Sequence, residues 1–151
     1  MTTNNFDRDG DPFNLERFVT AQRGTYPDAL NELRHGQKDG HWMWFIFPQI
    51  QGLGSSEMAK RYAIEGLSEA NAYLQHSILG QRLSECSKAI LAIDGYSATD
   101  IFGYPDDAKL KSSMTLFAQA GEPDSIFSKV LAKYFDGQMD ARTIEILKRR
   151  N

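Results

Sequence analysis

Cysteine is almost absent from this chain: Cys86 stands alone among 151 residues. A single cysteine excludes a disulfide within the chain and is typical of proteins from a reducing compartment. The three histidines are not paired at i and i+4, and no cysteine or histidine cluster has the spacing of a zinc site. The sequence therefore predicts neither a bound metal nor a cofactor.

Long apolar runs and an excess of basic charge are also missing. The aromatic run ends at Pro48, well short of the roughly 20 apolar residues that a membrane-spanning helix requires. The N-terminal residues are too polar for a signal peptide. A formal net charge of −3 argues against a general nucleic-acid binder, because such proteins depend on a basic surface. We therefore expect a cytoplasmic protein that neither crosses a membrane nor binds nucleic acid generally.

The composition is that of an ordinary globular domain, with 41% hydrophobic and 25% charged residues. A chain of this length can bury its own core, which favours one domain. Residues 1–10 are polar and predict a flexible leader, and residues 11–151 predict a single helical domain.

The pattern along residues 11–151 is helical throughout. Apolar residues recur at three- and four-residue intervals most clearly from residue 77 to 93. No segment alternates with a period of two, so we expect an all-α fold, a compact bundle of about seven to eight short helices packed orthogonally. Helix starts are expected at the following capping residues: Asp11, Thr25, Ser56, Ser68, Thr99, Asp124 and Asp140.

The most informative segment, residues 41–49, holds both tryptophans, Trp42 and Trp44, together with Phe45 and Phe47. Periodicity cannot distinguish a buried strand from a buried helix over so short a run. Because a lone strand would leave its backbone groups without partners, we expect a short helix or an irregular buried segment. The rings of Trp42, Trp44 and Phe47 either stack on a planar ligand or form ordinary core.

Polar residues flank the aromatic rings. His41 is either a general acid or base or a helix-capping residue. Gln49 either hydrogen-bonds the amide or base edge of a ligand or satisfies a neighbouring backbone group. Gly54, Ser55 and Ser56 precede a helix, so they predict either a phosphate site at its N-terminus or a simple capped turn.

Two further helices carry candidate reactive groups. Glu69 is either a catalytic carboxylate or the acid of an ordinary first helical turn. Lys109 and Ser112 lie one turn apart, with Ser113 beside them, and serine and lysine can form a nucleophile–base pair. The alternative for this second group is a solvated helix face.

The segment His41–Gln49, followed by Gly52–Ser56, resembles the signature of a bacterial family of unknown function whose members are sometimes labelled calpastatin-like. The resemblance extends over nearly all residues after 12, and the further matching segments are Tyr62–Ile64, Glu69–Leu74, Leu79–Leu83, Ile101–Gly103, Lys109–Phe117 and Phe135–Gly137. It implies an all-helical single domain and no particular reaction.

A looser similarity is to the NADAR proteins, which are associated with NAD and ADP-ribose metabolism. Those proteins place a glutamate and aromatic residues on one helix and a basic, methionine-containing helix nearby, and the segments Glu69–Tyr73 and Lys109–Phe117 are similar in pattern. This similarity implies a nucleotide-like small molecule as partner and an N-glycosidase-type hydrolysis as one reaction.

Two functions remain open from the sequence. One is a binder or hydrolase of a nucleotide-like metabolite that uses the aromatic segment as its pocket. The other is a non-catalytic protein–protein interaction module, in which the same aromatic segment forms a groove or a dimer surface.

Overall fold

The structure, a computed structural model, describes residues 10–150. Within this range the chain forms ten helices and no strand: α1 Glu16–Gln22, α2 Tyr26–Arg34, α3 Met43–Ile46, α4 Glu57–Arg61, α5 Leu67–Gln75, α6 Leu79–Leu91, α7 Ala98–Phe102, α8 Asp106–Ala120, α9 Ile126–Phe135 and α10 Ala141–Arg150. A single parallel bridge joins Ile50 to Ile64. Residues 1–9 of the predicted leader lie outside the described residues.

The all-α prediction is confirmed, and the predicted number of seven to eight helices is too low. Three of the ten helices, α3, α4 and α7, have only four or five residues. Two of them, α4 and α7, begin near the predicted starts at Ser56 and Thr99. Single turns are nevertheless too short to produce a periodic hydrophobic pattern, so a count based on periodicity is too low. The aromatic segment contains one of these turns, α3, as expected for a short buried helix.

Several predicted helix starts have the expected capping chemistry. The Ser56 side chain accepts from the Ala59 backbone N–H, and the Asp140 carboxylate accepts from the Thr143 N–H at 3.0 Å. Side-chain oxygens at these positions satisfy backbone donors that have no partner within the helix.

Other helices begin a few residues away from the predicted cap. Helix α5 begins after Gly66 rather than Ser68. Ser97 caps α7 in a reciprocal capping box with Asp100, so the prediction of Thr99 is wrong. Ser125, one residue beyond Asp124, caps α9. In each case several cap-forming residues stand close together, and tertiary packing selects one of them.

Helices α6 and α8 organise the core. Helix α6 contacts α2, α5 and α9, while α8 contacts α5, α7, α9 and α10. In α8, Leu110 and every residue of the stretch 112–117 are buried. At the N-terminal end of α8, the Lys109 ammonium lies over the Trp44 ring of the aromatic segment.

One continuous hydrophobic core extends from Leu15 to Leu147. It includes Phe18, whose ring meets the Tyr73 ring edge-on at 5.1 Å, and Tyr73 in turn lies 5.3 Å from Phe117. Aromatic contacts of this kind contribute about 0.5–1.5 kcal/mol beyond the burial of their area. Across residues 10–150, no helix is long and apolar enough to cross a membrane.

Candidate functional site

The aromatic segment divides into a buried and a partly exposed part. Trp42 and Phe47 are only 2% and 0% exposed. The Phe47 ring lies 6.4 Å from Trp42 and 6.0 Å from Phe102, so these rings are core. Trp44 is partly exposed, and His41 is exposed. The segment therefore presents one indole and one imidazole to solvent.

Charged side chains lie beside the rings of both tryptophans. The Lys38 Nζ lies 2.8 Å from Asp106 Oδ2, and the other carboxylate oxygen of Asp106 lies 3.6 Å from Lys109 Nζ. The Lys38 ammonium is 4.9 Å from the centre of the Trp42 ring, and that of Lys109 is 5.5 Å from the centre of the Trp44 ring. We call Lys38, Trp42, Trp44, Asp106 and Lys109 the lysine–tryptophan cluster.

The two lysines of the cluster differ in their freedom to meet a ligand. The Lys38 side chain is 7% exposed and also donates to the Gly40 carbonyl at 2.6 Å, so it is held in place. The Lys109 side chain is 29% exposed, and its distance from Asp106 is long for a hydrogen bond. Lys109 is therefore the member that can change partners.

Glu32 fixes the loop that carries Lys38 and Trp42. Its Oε1 accepts from the Asp39 and Gly40 backbone N–H groups, both at 2.8 Å, and from the Trp42 indole N–H at 2.9 Å. Burial acts to raise the pKa of Glu32, but the Gly40, Asp39 and Trp42 N–H donors and the Lys38 ammonium together hold the pKa below its ordinary value. The ionised carboxylate thus stabilises the loop beside the cluster.

Glu69, a predicted catalytic acid, is 1% exposed and lies in an ion pair. Its Oε2 accepts from the Arg17 guanidinium at 2.9 Å, and its Oε1 accepts from the Glu65 N–H at 2.9 Å. Burial raises the pKa of Glu69, opposed by the Glu65 N–H and by Arg17. Arg17 also donates to the carbonyls of Phe13, Asn14, Arg61 and Ala63. These contacts join α1 to the chain between α4 and α5.

The predicted serine–lysine group does not assemble as a pair in this structure. Ser112 Oγ donates to the Ala108 carbonyl at 3.2 Å, while the Lys109 ammonium lies over Trp44. Ser113 is fully buried, and its Oγ has no hydrogen-bond partner among residues 10–150. Both hydroxyls therefore lie inside the protein rather than on a solvated helix face.

The predicted phosphate segment forms a capped turn. Helix α4 has only five residues, and Ser56 Oγ occupies one of its free backbone donors. A Cβ at Gly54 would lie 2.6 Å from the Ala59 Cβ, so close packing explains the glycine. Ser55 is exposed. Gln49 uses its backbone carbonyl to accept from the Ile64 N–H at 2.9 Å.

Residues that the sequence did not single out complete the charged surroundings. Glu32, Lys38 and Asp106 come from three separate segments, and no motif in the neighbouring sequence marks any of them as a site residue. A second group, Arg142, Arg149 and Arg150, lines an open depression of about 480 Å³ beside Gly52. In the sequence, the basic end of α10 indicates only a complement to the helix dipole. Among residues 10–150, no cluster of histidine, cysteine or acidic side chains could hold a metal.

Comparison with known proteins places the chain in a group without an assigned activity. The family model described as a protein of unknown function, DUF1810, matches residues 12–147. The crystal structure of the conserved hypothetical protein Rv1873 from Mycobacterium tuberculosis is similar, with a TM-score of 0.90 and 54% sequence identity. That match covers 91% of this chain and 99% of the mycobacterial chain. No curated protein matches, and neither finding supports the similarity to NADAR proteins.

Proposed function

The chain belongs to the DUF1810 family of proteins of unknown function, and for this member we propose binding of a nucleotide-like metabolite at the lysine–tryptophan cluster. A single observation carries the proposal. Trp44 and Lys109, both expected from the sequence to bind ligand, come from distant segments and meet at the surface, 5.5 Å from ammonium to ring centre.

The chemistry of the cluster suits a planar ring joined to an anionic group. A partly exposed indole offers a face on which a base or nicotinamide ring can stack, with about 1–3 kcal/mol for each stacked base. The lysines contribute two positive charges and Asp106 one negative charge. The ionised Glu32, which accepts from the Trp42 indole N–H, balances the second positive charge. On binding, Lys109 would exchange its long contact with Asp106 for a phosphate oxygen.

The proposal concerns binding first and hydrolysis second. If turnover accompanies binding, His41 is the exposed acid–base group on the aromatic segment. Glu69 already has both oxygens engaged by Arg17 and Glu65, so a catalytic role for it would require one of these contacts to open. An N-glycosidase-type reaction would then be slowed more by His41→Ala than by substitution of the lysines of the cluster.

The test is a thermal-shift screen of the purified protein against NAD, ADP-ribose, mononucleotides and sugar phosphates, followed by tryptophan fluorescence. A ligand at 100 times its dissociation constant adds about 2.7 kcal/mol of stability. Lys109→Ala should weaken the binding of any hit. Lys129→Ala, an exposed lysine on α9, is the matched control and should leave it unchanged. Equal effects of the two variants, or no hit in the whole panel, would argue against the proposal.

One observation favours the alternative of a protein–protein interaction module. Tyr104 is 83% exposed, directly before the start of α8, where the cluster lies. A large exposed aromatic side chain is typical of an interface. Under this alternative, Tyr104→Ser would abolish a complex detected by size-exclusion chromatography and affinity capture, and would leave ligand-induced thermal shifts unaffected.

A further inference from the structure

The depression beside Gly52 is lined on one side by a single face of the last helix. The lining residues of α10 recur at i, i+3, i+4, i+7 and i+8, the spacing of one helical face: Arg142, Glu145, Ile146, Arg149 and Arg150. Gly52 closes the opposite side. The open volume of about 480 Å³ lies in the range of sites for small molecules.

Positive charge in this depression is only partly neutralised. Arg149 forms an ion pair with Glu145. Arg142 makes no hydrogen bond or ion pair within the described part of the chain. Arg150 donates from Nη1 to the Glu65 carbonyl at 2.7 Å, which positions its guanidinium but leaves its charge uncompensated. Two guanidinium groups, those of Arg142 and Arg150, thus face one depression in a chain whose net charge is −3.

The helix dipole accounts for only part of this arrangement. Basic residues in the last turn, such as Arg149 and Arg150, stabilise the negative end of the dipole. Arg142 stands in the first turn, where the dipole favours acidic residues instead, and α10 has no acidic residue there. Arg142 is exposed, and neither the dipole nor an ion pair within residues 10–150 accounts for its position.

The glycine turn at residue 52 packs against the Arg150 side chain. Gly52 has φ +105°, a conformation that other residues rarely adopt. A Cβ there would lie 3.5 Å from both Arg150 Nη2 and Ile146 Cδ1. The exposed Arg150 guanidinium thus lies against the main chain and donates to the Glu65 carbonyl. With Nη1 engaged by Glu65, the remaining guanidinium N–H groups can donate to a phosphate oxygen.

From these observations we propose that the depression between Gly52 and α10 binds a diphosphate-sized anion, bridging Arg142 and Arg150. The two residues are separated by eight positions, or about 12 Å along the helix axis, which favours an anion with two phosphate groups over a single phosphate. The proposal uses other residues than the lysine–tryptophan cluster and does not depend on it.

Isothermal titration with inorganic pyrophosphate tests this proposal. We expect a dissociation constant near or below about 1 mM, weaker binding of orthophosphate, and affinity that falls with salt. Arg142→Gln, which removes no contact within residues 10–150, should weaken pyrophosphate binding at least about tenfold. Lys148→Gln is the matched control: it lies on the same helix, is exposed and does not line the depression, so binding should be unchanged.

Any of the following outcomes would overturn the proposal: no pyrophosphate binding, equal weakening by Arg142→Gln and Lys148→Gln, or equal affinity for orthophosphate. Thermal denaturation of each variant shows whether the fold is intact. Lys109→Ala should leave pyrophosphate binding unchanged, so failure here is distinguishable from failure of the proposed metabolite site. Weakening by Lys109→Ala would also overturn the proposal, because it would place the anion at the lysine–tryptophan cluster.

Discussion

Glu69 is the buried carboxylate that joins α1 to the segment before α5, so its replacement by alanine should strongly destabilise the protein. Its two oxygens accept from the Arg17 guanidinium and from the Glu65 N–H, each at 2.9 Å. The Glu69 side chain is 1% exposed and that of Arg17 is 18% exposed. The cost of the substitution arises because the Arg17 guanidinium and the Glu65 N–H both lose their buried acceptor.

The magnitude follows from the two hydrogen bonds that the substitution removes. A hydrogen bond to a charged group contributes about 1.5–3 kcal/mol, and removal of one member of a buried ion pair costs about 3–5 kcal/mol. Arg17 keeps four carbonyl acceptors after the change, which places the expected loss of stability for Glu69→Ala near the lower end, at about 3 kcal/mol. Glu69→Gln keeps the shape and an acceptor, so it should cost less.

Urea denaturation monitored by tryptophan fluorescence measures the free energy of unfolding directly. Glu122→Ala is the matched control, since Glu122 is exposed and has no hydrogen-bond partner among residues 10–150; its effect should stay within about 0.5 kcal/mol. A destabilisation below about 1 kcal/mol for Glu69→Ala, with an unchanged denaturant slope, would refute the structural role assigned to this carboxylate.

Three further changes test other parts of the structure. The pKa of Glu32 is lowered in the folded state from its ordinary 4.5. The stability that its ionised form contributes is therefore present above that value and is lost as the pH falls through the folded pKa. Glu32→Gln should flatten this acid dependence. Burial raises the pKa of Cys86 to about 12, so a thiol reagent should label it only after unfolding. A Cβ at Gly80 would lie 2.0 Å from the Leu74 carbonyl, so Gly80→Ala should cost about 3 kcal/mol or more.

Each of these predictions has a clear contrary result. An unchanged acid denaturation profile in Glu32→Gln would mean that the loop does not depend on the charge of this carboxylate. Rapid, complete labelling of the native thiol would show that Cys86 is accessible. For Gly80→Ala the control is Gly66→Ala, where an added Cβ meets nothing within 4 Å; its cost should stay below about 1 kcal/mol, and equal destabilisation at both glycines would contradict the packing argument.

Local signals were sufficient for the helical class of the fold and for several helix ends. Ser56 and Asp140 cap their helices as expected. Helix α6 occupies most of the segment 77–93, where the apolar pattern is clearest. These features depend on interactions within about four residues along the chain, which the sequence displays directly.

The sequence was less informative where several solutions compete locally. The helix count was too low because one-turn helices show no periodic pattern, although capping residues indicated the starts of two of them. Ser97 rather than Thr99 caps α7 because its side chain and that of Asp100 can complete a reciprocal box. Neighbouring cap-forming residues differ in capping free energy by about 1 kcal/mol. The free energy of tertiary packing is larger and decides between them.

The sequence by itself therefore determined that the chain is helical, that it has no disulfide or metal motif, and that an aromatic segment lies in its first third. Only the tertiary structure decided that Trp42 is core while Trp44 reaches the surface, that Glu69 is paired with Arg17, and that Gly52 faces the arginines of α10. The physical reason is that burial and ion pairing join residues far apart in sequence, and their partners are set by helix packing rather than by any spacing along the chain.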